Sequence, residues 1–197
     1  MQKITWEIEY KSQLPVIRYC KKCGKKTEYI CSDLFRVNAQ HKYLDVWLIY
    51  KCSNCDSTWN STIYSRINPK NLNPEILEQF YTNDYNLVKQ YAMNVELLHR
   101  NGAKVGIPEY KIVGQDICID DLTQVHIVSK YPCQLKVSTL LREKLGLSRK
   151  VFEDMLDCGM IKSISRVDLR RSKLNYEIVL QIGKSKQEYL NQLDQPV

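Results

Sequence analysis

The chain contains no apolar run near the roughly 18 residues a membrane-spanning helix requires. Its opening stretch, MQKITWEIEY, has no apolar signal-peptide core. Both absences lead to the expectation of a cytoplasmic protein with no membrane partner. GxSxG, Walker, GxGxxG and HExxH motifs are missing. The three histidines, His41, His99 and His126, stand at no spacing that suggests a catalytic set. No internal repeat and no low-complexity segment is found. An enzyme is therefore not expected.

What is present is ordinary globular composition. Of the 197 residues, 44% are hydrophobic and 26% charged, enough for one large domain or two small ones. The net charge of +7 is uneven. Residues 1–70 carry +6, residues 71–132 carry −3 and residues 133–197 carry +4. Basic blocks of this size suit nucleic acid or another anionic partner, although they also fit a normal solvated surface.

Eight cysteines are many for a reducing compartment, where thiols and metal ligands outnumber disulfides. Four of them form two pairs, Cys20-x-x-Cys23 within YCKKCGKK and Cys52-x-x-Cys55 within KCSNCDSTW. A CxxC turn points two thiolates at one spot, and two such turns complete a tetrahedral zinc site. One zinc ion is expected on Cys20, Cys23, Cys52 and Cys55. Four thiolates leave no open coordination position, so the ion is expected to be structural and not catalytic. Such a centre carries a net charge of −2. Lys21, Lys22, Lys25 and Lys26 therefore have two readings, compensation of the centre or binding of an anion. Cys31 and His41 lie between the pairs and could replace a ligand. Cys31 reads better as a buried thiol, and Cys118, Cys133 and Cys158 as small core residues. Trp47, Tyr50, Trp59 and Tyr64 read first as core and second as base-stacking surfaces.

The expected fold class is α+β in three parts. Residues 1–70 form an N-terminal zinc ribbon, a three-stranded antiparallel sheet from TEYICSDLFRV, LDVWLIYKC and TWNSTIYSR, with a turn at NAQHK. Residues 71–107 form a helical connector. Asn73 caps its first helix with Pro74 at the first position, Asn83 or Asp84 starts a second, and VELLHRNG ends at Gly102. Residues 108–197 form an α/β domain. EYKIVG and QVHIVS are strands around a turn at Asp120–Asp121. A helix capped by Ser138 or Thr139 stops at Gly146, and one capped by Ser148 stops at Gly159. IKSISRVDL and NYEIVLQI are strands joined by RRSK.

In the first helix of that pair Leu140, Leu141 and Leu145 share an apolar side, leaving Arg142 and Lys144 toward water. In the second, Val151, Phe152, Met155 and Leu156 face inward. Arg149 and Lys150 fall at its N-terminus, where the helix dipole opposes positive charge. A bound phosphate would account for them, as would plain solvation.

The stretch LLREKLGLSRKVFEDMLDCGMI resembles the S4 RNA-binding domain, in which two short helices precede a small β-hairpin. The matching features are Leu140, Leu141, the Gly-Leu-Ser-Arg turn at 146–149, Met155-Leu156 and Gly159 before Met160-Ile161. The family's opening Arg-Leu-Asp reads Gln134-Leu135-Lys136 here. The resemblance implies binding of structured RNA, ribosomal or transfer, through a basic face. The expected contact set is Arg142, Ser148, Arg149, Lys150, Arg166, Arg170, Arg171 and Lys173. A DNA-binding regulator and a protein-interaction adaptor docking through the ribbon are the alternatives. Over nearly its full length the chain resembles the bacterial family labelled domain of unknown function 1062. That resemblance is carried by TWEI, RYCKKCGKKTEY, FRVNA, LDVWLIYKCSNCDSTWN and HRNG at 99–102.

Overall fold

The computed structural model describes residues 1–184 apart from His41, Asp120 and Cys133. The expected turn residue Asp120, the core role of Cys133 and the ligand alternative at His41 lie outside the described residues. The fold is mixed α+β, with two five-stranded sheets and short helices. Two compact units emerge: Lys11–Glu109, and Met1–Tyr10 with the chain from Tyr110 onward. Strand β1 (Gln2–Tyr10) thus pairs within the second unit and not with the cysteine-bearing stretch that follows it.

The unit Lys11–Glu109 contains β2 (Val16–Cys20), β3 (Lys25–Gln40), β4 (Tyr43–Cys52) and β5 (Thr58–Ile67). Helices α1 (Pro74–Thr82), α2 (Tyr85–Ala92) and α3 (Val95–Arg100) and strand β6 (Lys104–Val105) follow. The sheet order is β5-β4-β3-β2-β6, all neighbours antiparallel. Five strands replace the expected three, because VIRYC and Lys104–Val105 extend the sheet past β3. The period of two is clearest on β4, where Leu44, Val46, Leu48, Tyr50 and Cys52 are buried and Asp45, Trp47, Ile49 and Lys51 alternate with them. Of the four aromatics singled out above, Tyr50 is buried, while Trp47, Trp59 and Tyr64 are half-buried.

The connector helices follow their cap residues. Asn73, Asp84 and Asn94 each accept a hydrogen bond from an amide in the first turn of the next helix, from Glu75, Leu87 and Leu97. Asn83 instead takes the left-handed conformation that ends α1, and its Oδ1 accepts from the Phe35 amide at 2.6 Å. The helices are thereby tied to β3 where that strand has left β2. Phe80 packs edge-on to Phe35 at 4.8 Å beneath them.

The sheet is rolled. Strands β2 and β5 are separated by two others in the hydrogen-bonding order, yet the Arg18 guanidinium lies 4.2 Å over the Trp59 ring. Asn101, the third residue of HRNG, joins the same seam. Its Nδ2 donates to Thr62 O at 2.9 Å and its Oδ1 accepts from Thr62 N at 3.0 Å, continuing the ladder of edge strand β5 with a side chain. Arg18 Nη1 donates to Asn101 O.

In the second unit β1 is joined by β7 (Tyr110–Val113), β8 (Thr123–Ser129), α4 (Val137–Leu145), α5 (Arg149–Asp157), β9 (Ile161–Ser163) and β10 (Glu177–Ile182). The order is β7-β1-β8-β10-β9, with β1 and β8 parallel. The two strands expected around a turn, β7 and β8, are therefore not partners; β1 lies between them. Trp6, Ile8, Val125, Ile127, Leu180 and Ile182 share one core cluster with Leu140, Leu141, Phe152 and Met155 of the helix pair. Full burial of such side chains stabilises by about 1.5–3 kcal/mol each before entropy is subtracted. Gly114 has φ +139°, and a Cβ there would meet Thr5 O at 2.5 Å, so the loop after β7 can pass β1 only as glycine.

Five local expectations change. Helix α4 starts at Val137 with Lys136 at its N-cap, not at Ser138 or Thr139, because the Val137 amide already donates to Ser172 O at 3.0 Å. Lys144 is not directed to water: it donates to Asp116 at 2.5 Å and to Gly114 O at 2.9 Å. Val151 is exposed at 44%, lying at the edge of the apolar stripe of α5. The strand expected over IKSISRVDL ends at Ser163, and Arg166 takes a left-handed φ of 57° that no strand continues. Cys118 and Cys158, expected in the core, are exposed.

Candidate metal centre and basic surfaces

The two CxxC segments lie in turns at one end of the rolled sheet. The first connects β2 to β3, the second β4 to β5, and Tyr29 pairs with Cys52 across the sheet. Both close alike. The Gly24 amide donates to Cys20 O at 2.9 Å and the Asp56 amide donates to Cys52 O at 3.0 Å. Gly24 and Asp56, each directly after the second cysteine, have φ of 67° and 57°. The left-handed residue turns the chain back while leaving both thiols on one side.

All four Sγ atoms lie within 4.8 Å of one another. Cys20 and Cys55 approach to 3.6 Å, Cys23 and Cys52 to 3.9 Å. A zinc–sulfur bond of about 2.3 Å in a tetrahedron requires sulfur–sulfur edges of about 3.8 Å. The cluster therefore fits a single ion such as zinc. Cys31 lies outside it.

The surroundings favour thiolate on some ligands and oppose it on others. Hydrogen bonds from Ser57 and Tyr29 bring Cys20 down to about 5. Thr27, whose Oγ1 is 3.2 Å from Cys52 Sγ, lowers Cys52. Cys23 is pushed up to about 12, first by its hydrogen bond with Cys55 and then by burial. Successive ionisation of four packed thiols is self-opposing without a cation; a divalent ion removes that opposition. Thr27, Tyr29 and Ser57 were not singled out from sequence. Their only signal was polarity next to a cysteine turn, the usual position of groups that orient metal ligands.

The expected RNA-contacting residues do not form one free basic face. Arg149 and Lys150 are exposed in the first turn of α5, with no ion-pair or hydrogen-bond partner among the described residues. Ser148 is the cap of that helix, its Oγ accepting from the Val151 amide at 3.2 Å. Arg142 is half-buried on α4, with a buried Nε that has no partner among the described residues. Arg166 and Arg171 are exposed. Arg170 is committed: its Nε donates to Glu153 at 2.6 Å and its Nη2 to Asp157 at 2.5 Å. Lys173 donates to Gln134. The acid stripe Glu153–Asp157, one helical turn apart on α5, was the sequence signal that an arginine would be drawn there. Beside it a shallow depression of about 460 Å³ is lined by Leu156, Lys162, Arg166, Asp168 and Arg170 among others.

A four-cysteine knuckle centre on a rolled antiparallel sheet defines a candidate metal-binding protein. The chain belongs to the family described as "Protein of unknown function (DUF1062)", whose model matches residues 37–167. The match takes in Cys52, Cys55, HRNG and the α4–α5 pair and begins after Cys20 and Cys23. Neither a curated protein nor a solved structure matches the chain. No helix among the described residues is long and apolar enough to cross a membrane.

Proposed function

We propose that this protein is a zinc-containing RNA-binding protein, in which a structural ion holds a zinc ribbon and an S4-like α/β domain supplies the principal contacts to structured RNA. The zinc reading rests on the donor set: four thiols at tetrahedral spacing, with no position left for water or substrate. The RNA reading rests on one observation. Arg149 and Lys150 stand unpartnered in the first turn of α5, the end whose free amides and dipole repel cations and attract phosphate. The short turn Gly146–Ser148 between the helices, and the β9–β10 pair after them, support the S4-like arrangement. Arg142, Ser148, Arg166 and Arg171 complete the proposed contact set. Arg170 serves instead to hold the segment before β10 against α5.

The test is a titration of the zinc-loaded chain with a structured RNA. Arg149→Ala with Lys150→Ala should weaken binding by about 1–3 kcal/mol. It should also lower the log–log salt slope by about 1.4–1.8, the span between single-stranded and duplex nucleic acid for two contacts. Unchanged affinity and slope, with melting unaltered, would remove the S4-like domain from the binding function.

A further inference from the structure

The rolled sheet of Lys11–Glu109 carries a second basic surface, and the strand register defines it. Tyr19 on β2 is opposite Lys26 on β3. Ile17, two residues back and so on the same face, is opposite Lys104 of β6. Ile30 of β3 shares this face with Lys26 and is opposite Lys51 of β4. This is the outward face: the alternate residues Val16, Cys20, Tyr29 and Cys52 are buried, whereas Tyr19 is 59% and Ile30 58% exposed. The first cysteine turn adds Lys21, Lys22 and Lys25 at its end, all exposed.

None of these six lysines, Lys21, Lys22, Lys25, Lys26, Lys51 and Lys104, has an ion-pair partner among the described residues. They outnumber the double negative charge of a zinc tetrathiolate taken with the nearby acids Glu28 and Asp56. Compensation of the metal centre therefore does not use them up. Lys51 and Lys104 also sit on separate strands outside the first cysteine turn. An exposed aromatic ring flanked by free lysines on a sheet face is the arrangement that stacks an unpaired base and neutralises its phosphates.

We infer that this face binds an unpaired segment of RNA, with Tyr19 stacking a base and Lys26, Lys51 and Lys104 contacting the backbone. The inference rests on the RNA-binding reading above and deepens it: α5 meets the structured part of the ligand and the sheet face a single-stranded part. The partner is RNA and not a protein, because the free lysines outnumber the one carboxylate on this face, Glu28 opposite Ile17, and the apolar side chains Ile17 and Ile30 that share it.

The experiment titrates the full-length, zinc-loaded chain with a labelled single-stranded 20-nucleotide oligouridine at fixed salt. Tyr19→Ala should weaken binding about 5- to 100-fold, the range for losing one base–aromatic stack. Tyr19→Phe, which keeps the ring, should stay within about twofold. Lys26→Ala with Lys51→Ala should lower the salt slope by about 1.4. Zinc content and melting are measured for each variant. If Arg149→Ala with Lys150→Ala weakens binding while the Tyr19 and lysine variants match the parent, this face is overturned and the α5 reading stands. If the parent binds neither this oligomer nor a structured RNA, both fail. Equal losses in Tyr19→Ala and Tyr19→Phe would overturn the stacking role alone.

Discussion

The two units hold themselves together by different means. In Lys11–Glu109 every strand pairs within one contiguous stretch, and the ends of two hairpins converge on four cysteines. In the other unit the core cluster of the described residues is assembled from distant parts of the chain, with β1 inserted between strands about 100 residues or more later. Both bury apolar side chains, Leu48, Tyr50, Phe80 and Leu98 among those of the first, but only the first adds a point at which four thiols meet. Losing one thiol should therefore undo the whole cluster in the first unit, whereas losing one apolar side chain in either unit should cost only that side chain's share of its core.

The largest expected effect breaks the comparison at that point. Metal binding by structural zinc sites is coupled to folding at about 10–16 kcal/mol in small modules. Cys52→Ser, or a strong chelator on the parent chain, should release the ion and expose the amides of β2 to β5 to hydrogen exchange. The amides of β8 and β10 should keep their protection. Simultaneous loss in both units would show that they fold as one.

The next effect is smaller and lies on the other side. Phe152 of α5 is 1% exposed and belongs to the core cluster of the second unit. Phe152→Ala should cost about 3–5 kcal/mol, read as a lowered denaturation midpoint, with zinc content unchanged. Loss of zinc in this variant would contradict the division of labour.

The same contrast explains what could be read from the chain. The metal cluster was legible because a CxxC turn is local, and the order of turns and strands around it needs only neighbouring segments. Asn73, Pro74, Asp84 and Ser148 were legible as helix starts for the same reason, since a cap satisfies amides within one turn. The parallel pairing of β1 with β8 was not. Its alternation Ile4, Trp6, Ile8 announces a strand but not a partner, and a parallel partner need not be near in sequence. The cap of α4 was misplaced because the bond that starts it comes from Ser172, outside the local window. The pairing of Arg170, expected as an RNA contact, was hidden for the same reason, since its two carboxylates are 13 and 17 residues away. Cys118 and Cys158 show that residue type alone does not establish burial.

The smallest expected effect sharpens the comparison through pH. Burial pushes the Cys31 thiol up to about 12. Burial and the neighbouring Tyr64 hydroxyl, 3.5 Å away, likewise raise Tyr91. Both belong to Lys11–Glu109 and neither lies in the metal cluster. Well below a free thiol's value of about 8.5 each is protonated in folded and unfolded chains alike, so pH has no leverage through them there. Above it the unfolded thiol ionises while the folded one does not. The unfolded state then binds fewer protons, and stability falls with rising pH until the folded group also ionises near 12. Tyr91 adds the same slope above its unfolded value of about 10. With partial exposure of Cys31 taken into account, the loss between pH 8 and 10.5 should be about 1 kcal/mol. It would be read as a drop in the urea midpoint of the zinc-loaded chain, with exchange rising first in β3 and α2. Cys31→Ala and Tyr91→Phe should each flatten the profile. A profile just as steep with both replaced would place the alkaline sensitivity elsewhere in this unit, at Tyr50, which burial also raises, or at the four-thiol cluster, and Tyr50→Phe would separate the two.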